Sequence, residues 1–173
     1  MKSNLANYVT IFRFLMIFPL AYCLKRNYDF LAAIIYLIAG LSDILDGYIA
    51  RKQKKITNFG ILMDPIADKL IYITSLIVFL ERGYISFLPL LLISFREVAI
   101  TGLRSVCYVN GQVFPAVKAG KIKAFIQQIS FFIILFFKDH IITTLTIYII
   151  VFLTFQSSYG YLVNMFNFLK KED

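Results

Sequence analysis

Six long apolar stretches, at 8–24, 30–50, 60–80, 85–109, 124–137 and 141–169, take up most of this chain and leave only short connections between them. Several approach the roughly 20 residues that an α-helix needs to cross a bilayer. The fifth reaches that length only if its helix starts back near Ala119. With 60% hydrophobic side chains in 173 residues and a mean hydropathy of +0.75, the chain has more apolar surface than its own core can take in. A water-soluble globule is excluded. The reading is an all-α integral membrane protein with six transmembrane helices, in a single domain covering 1–173. Ser3 to Asn7 predict a short N-terminal interfacial segment, with Asn7 as a helix cap.

Charge sets the orientation. Lys2, Arg51, Lys52, Lys54, Lys55, Lys118, Lys121, Lys123, Lys170 and Lys171 fall on one side of a six-helix topology, and Lys25, Arg26, Arg82 and Lys138 on the other. The excess predicts both termini in the cytoplasm. A net charge of +8 also suits an anionic membrane surface or a phosphorylated ligand. No basic-aromatic motif of a nucleic-acid module accompanies it, so nucleic acid is not an expected partner. Cys23 and Cys107 are isolated in apolar stretches and read as packing residues. Tyr22 and Arg13 argue against a lipoprotein cleavage site before Cys23.

Four of the ten acidic residues, Asp43, Asp46, Asp64 and Asp68, lie where one apolar stretch ends and the next begins. Carboxylates at that depth are costly unless paired or ligated. Spacings of three and four put each pair on one helix face, and the short link at 51–59 allows the second helix to fold back beside the first so that all four converge. Like charges gathered in a low-dielectric site need protons or cations, and hard oxygen ligands select Mg²⁺, Mn²⁺ or Ca²⁺. A two-metal carboxylate site holding phosphate oxygens is the economical solution. Gly47, Ala50 and Gly60 permit close approach, and Arg51 is placed for a phosphate. Helix caps, a proton path or an intramembrane cation site of a small transporter are the alternatives. No internal repeat supports a transporter built by duplication, and Arg51 with Gly47 suits a diphosphate better than a cation path.

Written out, Asp43-x2-Asp46-Gly47-x2-Ala50-Arg51-x8-Gly60-x3-Asp64-x3-Asp68 resembles the signature of the CDP-alcohol phosphatidyltransferases at every fixed position. The resemblance implies six transmembrane helices in a homodimer with a polar cavity open to the cytoplasm, and displacement of CMP from a CDP-linked lipid by an alcohol. It implies that Asp43, Asp46, Asp64 and Asp68 bind two divalent cations, Mg²⁺ or Mn²⁺, and that Asp68 also takes the acceptor's proton. Gly47, Arg51, Thr57 and Gly60 are expected at the CDP moiety. Thr10 and Arg13 either join them there or fasten the first helix.

Further segments resemble the branch of that family whose acceptor is a phosphorylated glycerol. They are Asn7-x2-Thr10-x2-Arg13, Arg96-Glu97-x4-Gly102-Leu103-Arg104 and Gly120-Lys121-x-Lys123-x3-Gln127. The expected substrates are then CDP-diacylglycerol and sn-glycerol 3-phosphate at a bacterial inner membrane, with CMP released and membrane lipid as surroundings. Serine or inositol phosphate are the alternative acceptors. Ser105 departs from the branch, many of whose members have an acidic residue there. On physical grounds Arg96 and Arg104, two helical turns apart, are expected to face the same way. With Lys121 and Lys123 they predict a cationic pocket for the acceptor phosphate, and Glu97 a structural counter-ion.

Overall fold

The computed structural model describes residues 5–53, 58–109 and 118–172, without the side chains of 5–7, 43–53, 58–62, 106, 108–109, 118–119 and 160–172. All regular structure among the described residues is helical: α1 (Leu5–Lys25), α2 (Asp29–Gln53), α3 (Asn58–Glu81), α4 (Phe87–Val109), α5 (Lys118–Phe137) and α6 (His140–Glu172). Each helix coincides with one apolar stretch of the sequence. α5 begins at Lys118, which gives it 20 residues and about 30 Å of length. α1 already begins at Leu5, so Asn7 is inside the helix and is not its cap.

Tyr8–Lys25, Gly120–Phe137 and His140–Tyr159 are long and apolar enough to cross a membrane. α2 contributes a shorter apolar run, Asp29–Ser42. α3 and α4 are interrupted by charge, at Asp64, Asp68 and Lys69 and at Arg96, Glu97 and Arg104. Phe18, Phe30, Phe95, Phe125, Ile141 and Phe152 stand exposed while Thr10, Arg13, Arg96, Glu97 and Lys123 are buried. That is the reverse of a soluble protein, and it places the chain in a membrane.

The helices form two compact units, Met1–Glu81 and Arg82–Asp173. In the first, α1 lies along both α2 and α3, which approach each other only briefly. The sequence expectation of α3 folded beside α2 is therefore modified, because α1 is the shared neighbour. Ala32, Ala33 and Ala39 bury a small-residue face of α2, which allows close helix approach. Ala67, Ile71, Leu76 and Phe79 of α3 and Leu20 and Leu24 of α1 fill the rest of this core. α1 and α3 run parallel: Arg13 meets Asp68, and Lys25 meets Glu81 at 2.9 Å. The two intervals are about 18 and 20 Å at 1.5 Å per residue, so the helices stay in register along their length.

Tight connections keep the elements adjacent. α1 closes with Asn27 at φ 61°, its N–H given to the Leu24 carbonyl at 3.1 Å while Tyr28 N–H reaches Cys23 O at 2.9 Å. Asparagine tolerates that left-handed conformation better than most side chains. In the second unit, α6 packs against α5 and α4. Asp139 caps α6, its Oδ1 accepting from the N–H groups of Ile141 at 2.9 Å and Ile142 at 3.0 Å. Ile93, Phe131, Ile134, Leu135, Ile147 and Ile150 form the apolar core beneath.

Candidate active site

In the first unit the site is built where α1 and α3 begin. Thr10 and Arg13 are three residues apart on α1, Asp64 and Asp68 four apart on α3, so each pair shares one helix face. The parallel packing sets these faces against each other. The Thr10 hydroxyl donates to Asp64 Oδ1 at 2.5 Å. Arg13 Nη2 donates to the same oxygen at 3.2 Å, and Nη1 to Asp68 Oδ1 at 2.7 Å. One guanidinium thereby bridges two carboxylates that would otherwise repel. Its side chain is 0% exposed, against 33% for Asp64 and 40% for Asp68, so the cation is buried more deeply than the carboxylates it joins. α2 carries Asp43 and Asp46 towards the end from which the chain passes to α3.

In the second unit a buried ionic network joins three helices. Glu97, on α4, accepts from Lys123 of α5 and pairs with Arg96 at 3.3 Å. Arg96 reaches α6, with Nη2 donating to Ser157 Oγ at 2.7 Å and Nε to Ser158 Oγ. Both serine hydroxyls pass their own protons to the Thr154 carbonyl, at 3.0 and 2.8 Å. All five side chains are buried, so charge is matched by charge or by hydroxyl at every step. Arg104 and Lys121, by contrast, are exposed. Arg104 lies about 20° from Glu97 around α4, on the same side, but about 12 Å beyond Arg96 along the axis, where the helix nears its end at Val109.

The family model for CDP-alcohol phosphatidyltransferase matches residues 3–156. The chain belongs to the CDP-alcohol phosphatidyltransferase family. Curated relatives carry the name CDP-diacylglycerol--glycerol-3-phosphate 3-phosphatidyltransferase. The Rickettsia felis protein is 33% identical over 170 residues, covering 92% of this chain and 93% of its own. That of Wigglesworthia glossinidia brevipalpis is 32% identical over 174 residues, 93% and 94% of the two chains. The Bacillus subtilis protein is 42% identical over 98 residues, 57% of this chain and 51% of its own.

Of the family signature, the described side chains include Asp64 and Asp68. Asp43, Asp46, Gly47, Arg51 and Gly60 are on described helices with side chains outside the description, and Thr57 lies outside the described residues altogether. The described residues accordingly hold no cluster of three or more His, Cys, Asp or Glu side chains. Among the acceptor-pocket residues, Arg96 and Lys123 are brought together through Glu97, the counter-ion expected from sequence, whereas Arg104 and Lys121 are exposed. The grip of Arg13 on both family aspartates was not anticipated. A lone arginine in an otherwise apolar helix, one turn from a threonine, was the available signal. Ser157 and Ser158 carried none, since adjacent serines in a helix are unremarkable in type.

Proposed function

We propose that this chain transfers the phosphatidyl group of CDP-diacylglycerol to sn-glycerol 3-phosphate, forming phosphatidylglycerol phosphate and CMP. The observation that carries the reading is the partly exposed pair Asp64 and Asp68, brought together on Arg13, the two described carboxylates of the family signature. The names of the full-length relatives support the choice of acceptor.

In this reading the acceptor's hydroxyl oxygen attacks the lipid-side phosphorus, and the bond from that phosphorus to the oxygen of CMP breaks. The hydroxyl proton passes to Asp68, whose side chain is partly exposed. Carboxylate oxygens are the hard donors that Mg²⁺ or Mn²⁺ prefers, and the convergence of Asp64 and Asp68 fits a divalent cation. Asp43, Asp46, Asp64 and Asp68 would hold two such ions, which when bound supply charge neutralisation for the diphosphate. Gly47, Arg51, Thr57 and Gly60 are proposed at the CDP moiety. Thr10 acts there through Asp64, to which its hydroxyl is given. Arg104 and Lys121 are proposed to meet the acceptor phosphate, with Arg96 and Lys123 held as supporting cations by Glu97 and the α6 serines.

The same reading takes 1–173 as one domain, supported by a family match that runs through both compact units. All six helices are proposed to span a bacterial inner membrane, since none is shorter than the 20 residues of α5. An even number of spans, with the lysine and arginine bias, supports a topology with both termini and the site on the cytoplasmic side. A homodimer is proposed on the family resemblance.

The test is CMP release by purified protein in detergent with CDP-diacylglycerol and Mg²⁺ or Mn²⁺. Glycerol 3-phosphate is compared with serine, inositol phosphate and no acceptor. Release with glycerol 3-phosphate alone is expected. Release with a different acceptor overturns the acceptor assignment, and none with any acceptor overturns the reading.

A further inference from the structure

Arg13 is the largest fully buried side chain among the described residues, in a helix otherwise apolar from Val9 to Leu24 apart from Thr10. An arginine at such a position is expensive, and its place has to be explained by what it holds. It donates to Oδ1 of Asp64 and to Oδ1 of Asp68, and the Thr10 hydroxyl donates to the same Asp64 oxygen. The guanidinium is fully buried, while the Asp64 and Asp68 side chains keep 33% and 40% of their surface exposed.

We infer that Arg13 is a positioning residue: a built-in counter-ion that keeps Asp64 and Asp68 convergent before a divalent cation arrives and, remaining behind them, weakens the cation's hold once it has bound. The inference rests on the metal-binding reading of these carboxylates. Two carboxylates one helical turn apart repel, and without a cation they would splay or unpack α1 from α3. The guanidinium supplies a positive charge within bonding distance of both. Because it is buried and the carboxylates are partly exposed, a cation arriving at their exposed surface does not need to displace it. The entering cation then meets a like charge a few ångströms away, in surroundings where water screens poorly. The same residue that assembles the pair thus moderates its affinity.

The opposite expectation belongs to a merely structural arginine, whose removal loosens the site and weakens cation binding. The two are separated by measuring Mn²⁺ affinity of the full chain in detergent, from the electron paramagnetic resonance signal of free Mn²⁺, together with melting temperature in chelator and in Mn²⁺. Arg13→Gln is expected to bind Mn²⁺ at least about tenfold more tightly than the native chain. It is also expected to lose more stability in chelator than the native chain does, and to recover it in Mn²⁺. Arg13→Lys, which keeps the charge, is expected to stay within about threefold of native affinity. Equal or weaker binding by Arg13→Gln overturns the inference. So does failure of that variant to fold even with Mn²⁺ supplied, because a cation then does not replace the lost charge. Tenfold tightening in Arg13→Lys overturns it as well, by assigning the effect to shape. Native protein that releases CMP but shows unchanged affinity in Arg13→Gln sinks this inference alone, whereas native protein that binds no Mn²⁺ sinks the metal-binding reading with it.

Discussion

Glu97→Gln tests the buried network of the second unit most directly. The Glu97 side chain is 1% exposed, and its partners Lys123 and Arg96 are 4% and 7% exposed. Glutamine keeps the shape and an acceptor oxygen but removes the negative charge, leaving two buried cations facing each other. Breaking a buried ion pair from one side costs about 3–5 kcal/mol, since the desolvation of the remaining charge is no longer offset. For a chain of this size each kcal/mol lowers the melting temperature by about 2–4 °C, so a fall of roughly 6–20 °C is expected. The two free cysteines provide the assay: Cys23 is buried in the first unit and Cys107 half-buried in the second. In a Cys23→Ala background, labelling of Cys107 by a fluorogenic maleimide during heating reports opening of the second unit. Adding Lys123→Met to Glu97→Gln removes one of the stranded cations and should restore part of the loss. A drop below about 2 °C for Glu97→Gln, or no recovery in the double variant, would refute charge balance as the reason for this network.

Three further outcomes are expected. Asp68→Asn should abolish CMP release while leaving binding of CDP-diacylglycerol largely intact, measured by equilibrium binding in detergent; turnover that survives refutes Asp68 as the proton acceptor. Arg104→Gln should raise the KM for glycerol 3-phosphate by about tenfold or more with little change in melting temperature, as expected for loss of a charge-assisted contact to phosphate from an exposed side chain. An unchanged KM removes Arg104 from the acceptor site. Asp139→Ala should cost about 1 kcal/mol through loss of the α6 cap, visible as a small fall in melting temperature, and Asp139→Asn should cost less because it keeps a capping oxygen.

Helices were legible here because a bilayer-spanning run announces itself by length: each of the six apolar stretches became one helix, and even the short fifth stretch extended back to Lys118. The carboxylate pair was legible for a related reason, since a spacing of four residues fixes a shared face whatever surrounds it. What a periodicity cannot supply is the identity of the opposing face. Thr10 and Arg13 marked a polar face of α1, but its meeting with Asp64 and Asp68 depends on α1 running parallel to α3, a matter of which helices become neighbours. Expecting α3 to fold beside α2 gave the carboxylates a site while leaving Arg13 with two possible uses. Arg96 and Arg104 show what a shared side leaves open. Eight residues carry Arg104 about 12 Å further along α4, and that axial distance separates a seat among the α6 serines from an exposed position near the helix end. Charge interrupting a span is therefore the informative mark in such a chain: Arg13, Asp64, Asp68, Arg96 and Glu97 each meet a partner, and each partner fixes a helix that hydropathy alone would leave free to turn.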